Sequence, residues 1–265
     1  MVDMNILMIG DSWGVPNYLF KGYEETWRPE HHTKHRLEKL GYHVYNFSLN
    51  GFGIVRSMQC VDVSKRHTGN DYKLISHPFH APMTHPEGLP ESIPEKIDWT
   101  VMFHTEVLRD PHPVQYTDWP WFDANKTFHE NLMLKSHEAY SYARDFMQQI
   151  GGKLAVIGGQ TAIGPTIRDV FYSYLQPDFI IEDWRSEIIG VDLPECYTVS
   201  SVNGSLSWAL QGTDNWDVKA QLVEAQEIVI DAMDKSDDFP DCAHPGADAH
   251  EKLTNKLHEV FQMLP

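Results

Sequence analysis

Short hydrophobic runs that stop on glycine or on a polar turn constrain this 265-residue chain more than any other feature. The first run, Met4 to Ile9, is almost wholly apolar and ends at Gly10. A run without alternation suits a strand buried on both faces. Tyr42 to Leu49, Trp99 to Phe103 and Lys153 to Ile157 repeat the theme, and Phe179 to Ile181 is a shorter fifth candidate. Between them the spacing predicts helices. Thr33 to Leu40 is stopped by Gly41, and Thr127 to Ile150 is stopped by Gly151-Gly152, glycine being the usual helix stop. Two amphipathic helices, Val218 to Met233 and Ala247 to Met263, follow nearer the C-terminus.

Strand, helix, strand, with glycine-rich turns after strands, is the rhythm of a parallel sheet covered by helices. The fold expected is an α/β, three-layer α/β/α sandwich of flavodoxin-like character. Its ligand-binding edge would lie at the C-terminal ends of the strands. One domain, 1–265, accommodates the length, with insertions at 66–97, 111–126 and 183–215 that interrupt the rhythm. Three scattered cysteines (Cys60, Cys196, Cys242) make no disulfide framework and no structural zinc site.

A formal charge of −17 excludes a nucleic-acid surface, which needs a concentrated basic patch, and favours a neutral or cationic substrate. No apolar stretch reaches the length of a membrane span, and Met1 to Gly10 lacks the basic start of a secretory signal. The cytoplasm is therefore the default expectation, compatible with release by lysis or assembly into a larger particle. The oligomeric state is open.

Gly10-Asp11-Ser12-Trp13-Gly14, at the end of the first run, fits G-x-S-x-G, the nucleophile elbow of α/β-hydrolases. In that fold several strands and an oxyanion loop precede the elbow, whereas here one strand does, so that reading fails. A phosphate loop fails too, because neither Lys-Ser/Thr nor a third glycine follows at the required spacing. A plain turn, in which Gly, Asp and Ser satisfy local backbone geometry, is the alternative.

The far end of the chain bears on that choice. Asp241-Cys242-Ala243-His244-Pro245-Gly246 stands directly before the last helix. A catalytic serine needs an imidazole to take its proton and a carboxylate to hold that imidazole's tautomer. Ser12, Asp241 and His244 supply these groups in the order Ser–Asp–His. In this arrangement Ser12 is the nucleophile, His244 the general base and Asp241 its orienting partner.

On these residues the chain resembles the SGNH, or GDSL-type, hydrolase superfamily. Those enzymes carry a Gly-Asp-Ser block after the first strand, matched by Gly10, Asp11 and Ser12, and an Asp-x-x-His block near the C-terminus, matched by Asp241 and His244. Their second block, a glycine after strand two, is matched by Gly51 within NFSLNGFG. The resemblance implies ester hydrolysis through an acyl-enzyme, with no cofactor, on a lipid, a small ester or an O-acetyl group of a carbohydrate. It also implies an oxyanion hole that includes the backbone N–H groups of Ser12 and Gly51.

The third block departs from the family. Gly-x-Asn-Asp is the usual pattern after strand three, but His104-Thr105-Glu106-Val107-Leu108-Arg109-Asp110 stands there without an Asn. Thr105 can donate a hydroxyl hydrogen bond to the oxyanion, and His104 can donate an N–H. Gly69-Asn70-Asp71 follows no apolar strand and reads as a surface turn. A scaffold of this kind that binds without catalysing is the alternative this departure raises.

Trp13, His104, Arg109 and Gln160 are candidates for contacts with substrate, although Arg109 beside Asp110 better suits a structural ion pair. Trp119, Trp121 and Phe122 form either an aromatic rim or a loop anchor. Fifteen histidines raise a metal-dependent hydrolase as a third class. His77, His80 and His85 have no HExxH spacing, and His31, His32 and His35 sit at a helix start, so hydrogen-bonding roles and no metal site are expected.

Overall fold

The computed structural model of the protein describes residues 3–10, 14, 29–48, 54–55, 57–58, 61, 93–105, 107, 128–159, 163, 165–184 and 245–264. Among them lie the strands β1 (Asn5–Ile9), β2 (His43–Asn46), β3 (Trp99–His104), β4 (Lys153–Gly158) and β5 (Phe179–Ile181). The helices are α1 (Thr33–Lys39), α2 (Phe128–Ile150), α3 (Pro165–Tyr174) and α4 (Ala247–Met263). The strands form one parallel sheet in the order β2-β1-β3-β4-β5. This is the flavodoxin-like order, and it reverses between β1 and β3. Open sheets of this kind bind ligands in the crevice beyond the strand ends at such a reversal.

The unbroken apolar runs follow from burial on both faces. In β1, Leu7 and Ile9 point into a core shared with Tyr140, Ala143 and Phe171 of α2 and α3. Ile6 and Met8 point the other way, into a core shared with Leu37 of α1 and Leu253 and Leu257 of α4. β4 alternates likewise, Leu154 and Val156 against Ala155 and Ile157. Helices therefore cover both faces, and the three-layer α/β/α expectation holds.

α4 buries Leu253, Leu257, Val260 and Phe261, an i, i+4, i+7, i+8 stripe. Burying four such side chains contributes roughly 6–12 kcal/mol before ordering costs. The exposed ion pair joining α4 to α1, Arg36 to Glu251 at 2.9 Å, contributes at most about 1 kcal/mol. Apolar burial thus holds the helix down, and polar contacts fix where its ends sit.

Several boundaries moved from their sequence expectation. β2 is assigned to Asn46, not Leu49: Phe47 N–H still donates to Met8 O at 2.7 Å, and just beyond it Ser48 N–H donates to the Asn46 Oδ1 at 2.9 Å, a local side-chain turn in place of further strand. β3 and β4 each run one residue further, to His104 and Gly158. α3 was not anticipated from the sequence. Trp184, at the start of the expected 183–215 insertion, is a core residue packed with Phe103 and His250. The helix expected at Val218 to Met233 and the 111–126 insertion lie outside the described residues, as does most of each insertion expected at 66–97 and 183–215; of the former, Ile97 is a buried core residue. Among the described residues no helix is long and apolar enough to cross a membrane.

Candidate active site

The C-terminal edge of the sheet is tightest at β1, where Gly10 has φ +143°, a region that side-chain-bearing residues rarely adopt. A Cβ there would stand 2.6 Å from Phe103 Cβ and 2.7 Å from Phe103 O, so the exit of β1 lies directly on the end of β3. Four residues on, Gly14 makes a second close approach. A Cβ at Gly14 would fall 2.1 Å from Ser48 Oγ and 2.9 Å from Phe103 Cδ2. The Gly14 carbonyl also accepts from Asn46 Nδ2 at 2.6 Å. Gly10 is thus packed on the exit of β3, and Gly14 on the exits of β2 and β3. Ser12 and Trp13, between them, lie outside the described residues, as does Gly51.

The start of the last helix lies at the same edge because α4 runs antiparallel to the strands. Its C-terminal end packs at the strand starts: Phe261 lies 4.9 Å from the Trp99 ring and 5.6 Å from Tyr42, and Lys153 Nζ donates to Leu264 O at 2.6 Å. Its N-terminal end packs at the strand exits. His250, in the first turn of α4, lies 5.4 Å from Trp184, which follows β5, and 4.4 Å from His32, which precedes α1. Thr33 secures that end, its Oγ1 2.9 Å and its N–H 3.4 Å from His250 Nδ1. A backbone N–H can only donate, so Nδ1 accepts, and the neutral ring carries its proton on Nε2. Pro245 and Gly246, immediately before α4, are buried there. Asp241 and His244, which directly precede them in the chain, lie outside the described residues.

The exit of β3 carries the two candidates from the divergent third block. The His104 ring is buried beneath α2 and α3, its Nε2 2.8 Å from Tyr140 Oη. Burial pushes the Tyr140 hydroxyl pKa far up, so it stays protonated. Thr105 is fully buried, and its Oγ1 has no hydrogen-bond partner. An unpaired buried hydroxyl costs about 1–3 kcal/mol. Ser48 Oγ, at the exit of β2, is buried and unpaired as well. Thr100 and Ser136 share that state away from the edge, so position, not lack of a partner alone, sets Thr105 and Ser48 apart.

His104 and Thr105 thus share the edge with Gly10, Gly14, Pro245 and Gly246, while Arg109 and Gln160 lie outside the described residues. Of the helix-start histidines, His32 caps α1, its Nδ1 accepting from Lys34 N–H at 3.1 Å. His35 Nδ1 meets Glu38 at 2.9 Å. His77, His80 and His85 lie outside the described residues. Among the described residues no group of three or more His, Cys, Asp or Glu side chains is arranged to hold a metal ion. Sequence reasoning missed Asn46, Ser48, Tyr140 and His250, because each acts through a contact with a distant part of the chain.

Together these features define an α/β/α domain in which Gly10, Gly14 and the start of the final helix lie at the C-terminal edge of the parallel sheet. No family model matches the sequence, and no curated protein matches it. Among solved structures the chain is similar to TesA, with 12% identity, a TM-score of 0.40, and coverage of 99% of this chain and 100% of that one. It is also similar to a mutant of Axe2, an acetyl-xylooligosaccharide esterase from Geobacillus stearothermophilus, at 13% identity and TM-score 0.35 over 97% of this chain and 94% of that one. A second Axe2 variant, described as an acetyl xylan esterase, matches at 15% identity and TM-score 0.36 with the same coverage. The fold assignment itself rests on the strand order and the two helical layers.

Proposed function

We propose that the protein is a serine ester hydrolase of SGNH type. The observation that supports this most is convergence: the residues flanking Ser12 and the residues following His244 sit at one edge of the sheet. In this reading His244 takes the proton from Ser12 Oγ as the oxygen attacks the ester carbonyl. Asp241 orients the imidazole and stabilises its protonated form. The tetrahedral oxyanion receives the N–H groups of Ser12 and Gly51 and the Thr105 hydroxyl. Collapse expels the alcohol, protonated by His244, and leaves an acyl-enzyme. Water activated by the same imidazole then releases the acid and restores the serine.

One oxyanion donor is worth about 3 kcal/mol, or roughly a hundredfold in rate. A hydroxyl standing in for the family's Asn therefore tunes the reaction and does not decide whether it occurs. Trp13, Arg109 and Gln160 are proposed to face the substrate, a neutral or cationic small ester or an O-acetylated carbohydrate.

The test is turnover of p-nitrophenyl acetate and labelling by a fluorophosphonate probe, in wild type and in Ser12→Ala. Expected are a single adduct on Ser12 and a loss of at least about a thousandfold in Ser12→Ala. Equal turnover in the two proteins, with no adduct on Ser12, would sink the proposal, and a wild type without turnover or adduct would point to a non-catalytic binding scaffold.

A further inference from the structure

Among the described residues, the His104–Tyr140 bond is a buried side-chain hydrogen bond across the mostly apolar layer between the sheet and α2/α3. Both residues are fully buried. Their rings stack 5.9 Å apart, and Phe171 stands edge-on to each, 6.1 Å from His104 and 5.2 Å from Tyr140. An imidazole and a phenol in such a layer must satisfy each other, which they do at 2.8 Å. For packing alone, an aliphatic or phenyl side chain would fill this space without that requirement.

The position of the pair suggests what the bond is for. His104 is the last residue of β3, in register with Gly158 of β4, and its carbonyl accepts from Gly159 N–H at 3.3 Å. Tyr140 projects from the 23-residue helix α2, which packs along the sheet. The bond therefore ties the final residue of β3 to a rigid element, and the next residue is Thr105, whose buried hydroxyl has no partner.

We infer that Tyr140 and His104 are positioning residues whose hydrogen bond fixes the exit of β3 and so aims Thr105 Oγ1 at the oxyanion. This rests on the reading of Ser12 as nucleophile and adds to it how the divergent third block is held in register. Catalytic donors are sensitive to such support, since a misplacement of about 1 Å can cost about a hundredfold in rate. The Tyr140 hydroxyl suits the task because burial keeps it protonated.

The test is a double-mutant cycle in p-nitrophenyl acetate turnover, with the melting temperature of every variant recorded. Thr105→Ala is expected to lower kcat about a hundredfold with KM within about twofold, and Thr105→Ser to recover most of that loss. Tyr140→Phe, which keeps the ring, is expected to lower kcat about tenfold at unchanged KM. In the Thr105→Ala background the same change is expected to cost nothing further, because it acts through the missing hydroxyl. A purely structural Tyr140 would give the same factor in both backgrounds, and that additivity overturns the inference. So does a Tyr140→Phe enzyme with wild-type kcat. If Tyr140→Phe does not fold, His104→Leu breaks the bond from the other side and enters the same cycle. A wild type with no Ser12-dependent turnover overturns both readings; an active wild type with additive effects overturns this one alone.

Discussion

On the α2/α3 side, the sheet meets an apolar core in which one buried polar contact, His104 to Tyr140, sits at the exit of β3. On the α1/α4 side the core is equally apolar along most of its depth, with Trp99, Val101, Phe261 and Leu257 in contact. Its upper end, however, is polar: His32, Thr33 and His250 are buried there. The two helices of the first side are close in sequence and joined by one strand. Those of the second come from opposite ends of the chain, Thr33 and His250 being 217 residues apart. Apolar burial is nondirectional and would let α4 slide or rotate. A hydrogen bond between Thr33 and His250 fixes both its depth and its phase. Each layer thus carries a buried hydrogen bond at the end that leads to the strand exits: His104 to Tyr140 beside Thr105 on one side, and Thr33 to His250 near Pro245 on the other.

Apolar truncation should hurt both layers alike. Phe261→Ala and Phe171→Ala are each expected to lose about 3–5 kcal/mol of stability in urea unfolding. A difference of more than about 2 kcal/mol between them would break the symmetry of the apolar parts. The polar latch gives the next largest effect. Thr33→Val keeps the shape but withdraws a donor from buried His250 Nδ1, with an expected cost of about 1–3 kcal/mol. Activity should fall more than stability alone explains, because the start of α4 loses its register. Full activity in a destabilised Thr33→Val protein would reduce the latch to ordinary packing.

Smaller still is the surface bridge between the same two helices. Glu251→Gln removes the charge paired with Arg36, and a chemical denaturation midpoint should register less than about 1 kcal/mol. The last prediction concerns Asp98, at the opposite end of β3 from the site. Burial raises its pKa, but the Lys96 side chain and the Asn5 N–H outweigh that and hold the carboxyl below its usual range. A depressed folded-state pKa stabilises the fold above the unfolded carboxylate pKa, and that contribution disappears as pH falls through the folded value. Asp98→Asn should therefore flatten the acid limb of the stability curve and leave the pH dependence of turnover unchanged. A shifted activity profile would couple the two edges of the sheet.

Much of this fold was legible because burial on both faces writes itself into the chain. Met4 to Ile9, Trp99 to Phe103, Lys153 to Ile157 and the short Phe179 to Ile181 all became strands, and the glycines after α1 and α2 end those helices. α3 escaped notice although its signals were present. Pro165 stands at its first position, and Ile167, Val170 and Phe171 recur at helical spacing and are buried. Trp184 reads as part of an insertion because nothing local distinguishes an aromatic that leaves a strand from one that packs back on the core.

Of the candidate site that the motifs near each end of the chain propose, the structure describes the neighbours Gly10, Gly14, Pro245 and Gly246. The contacts around them were not legible. Asn46 reads as an ordinary polar strand residue until its carboxamide meets Gly14 O, and Tyr140 as one aromatic on a long helix until it meets His104. Such contacts join residues 32 and 36 apart in sequence, and no local pattern encodes them. His104 shows the effect most plainly. As a sequence it follows a strand and offers an N–H to the oxyanion; in the fold it completes β3, and its Nε2 meets Tyr140.

The proposed function requires Ser12 and His244 to meet beyond the exits of β1 and β3. A crystal structure of the protein inactivated by a fluorophosphonate tests it most directly. Expected are phosphorus on Ser12 Oγ, the His244 imidazole within about 3.5 Å of that oxygen, and the phosphoryl oxygen facing Thr105 Oγ1. An adduct on another residue, or His244 remaining more than about 6 Å from Ser12 Oγ, too far even for a bridging water to act through, would contradict it.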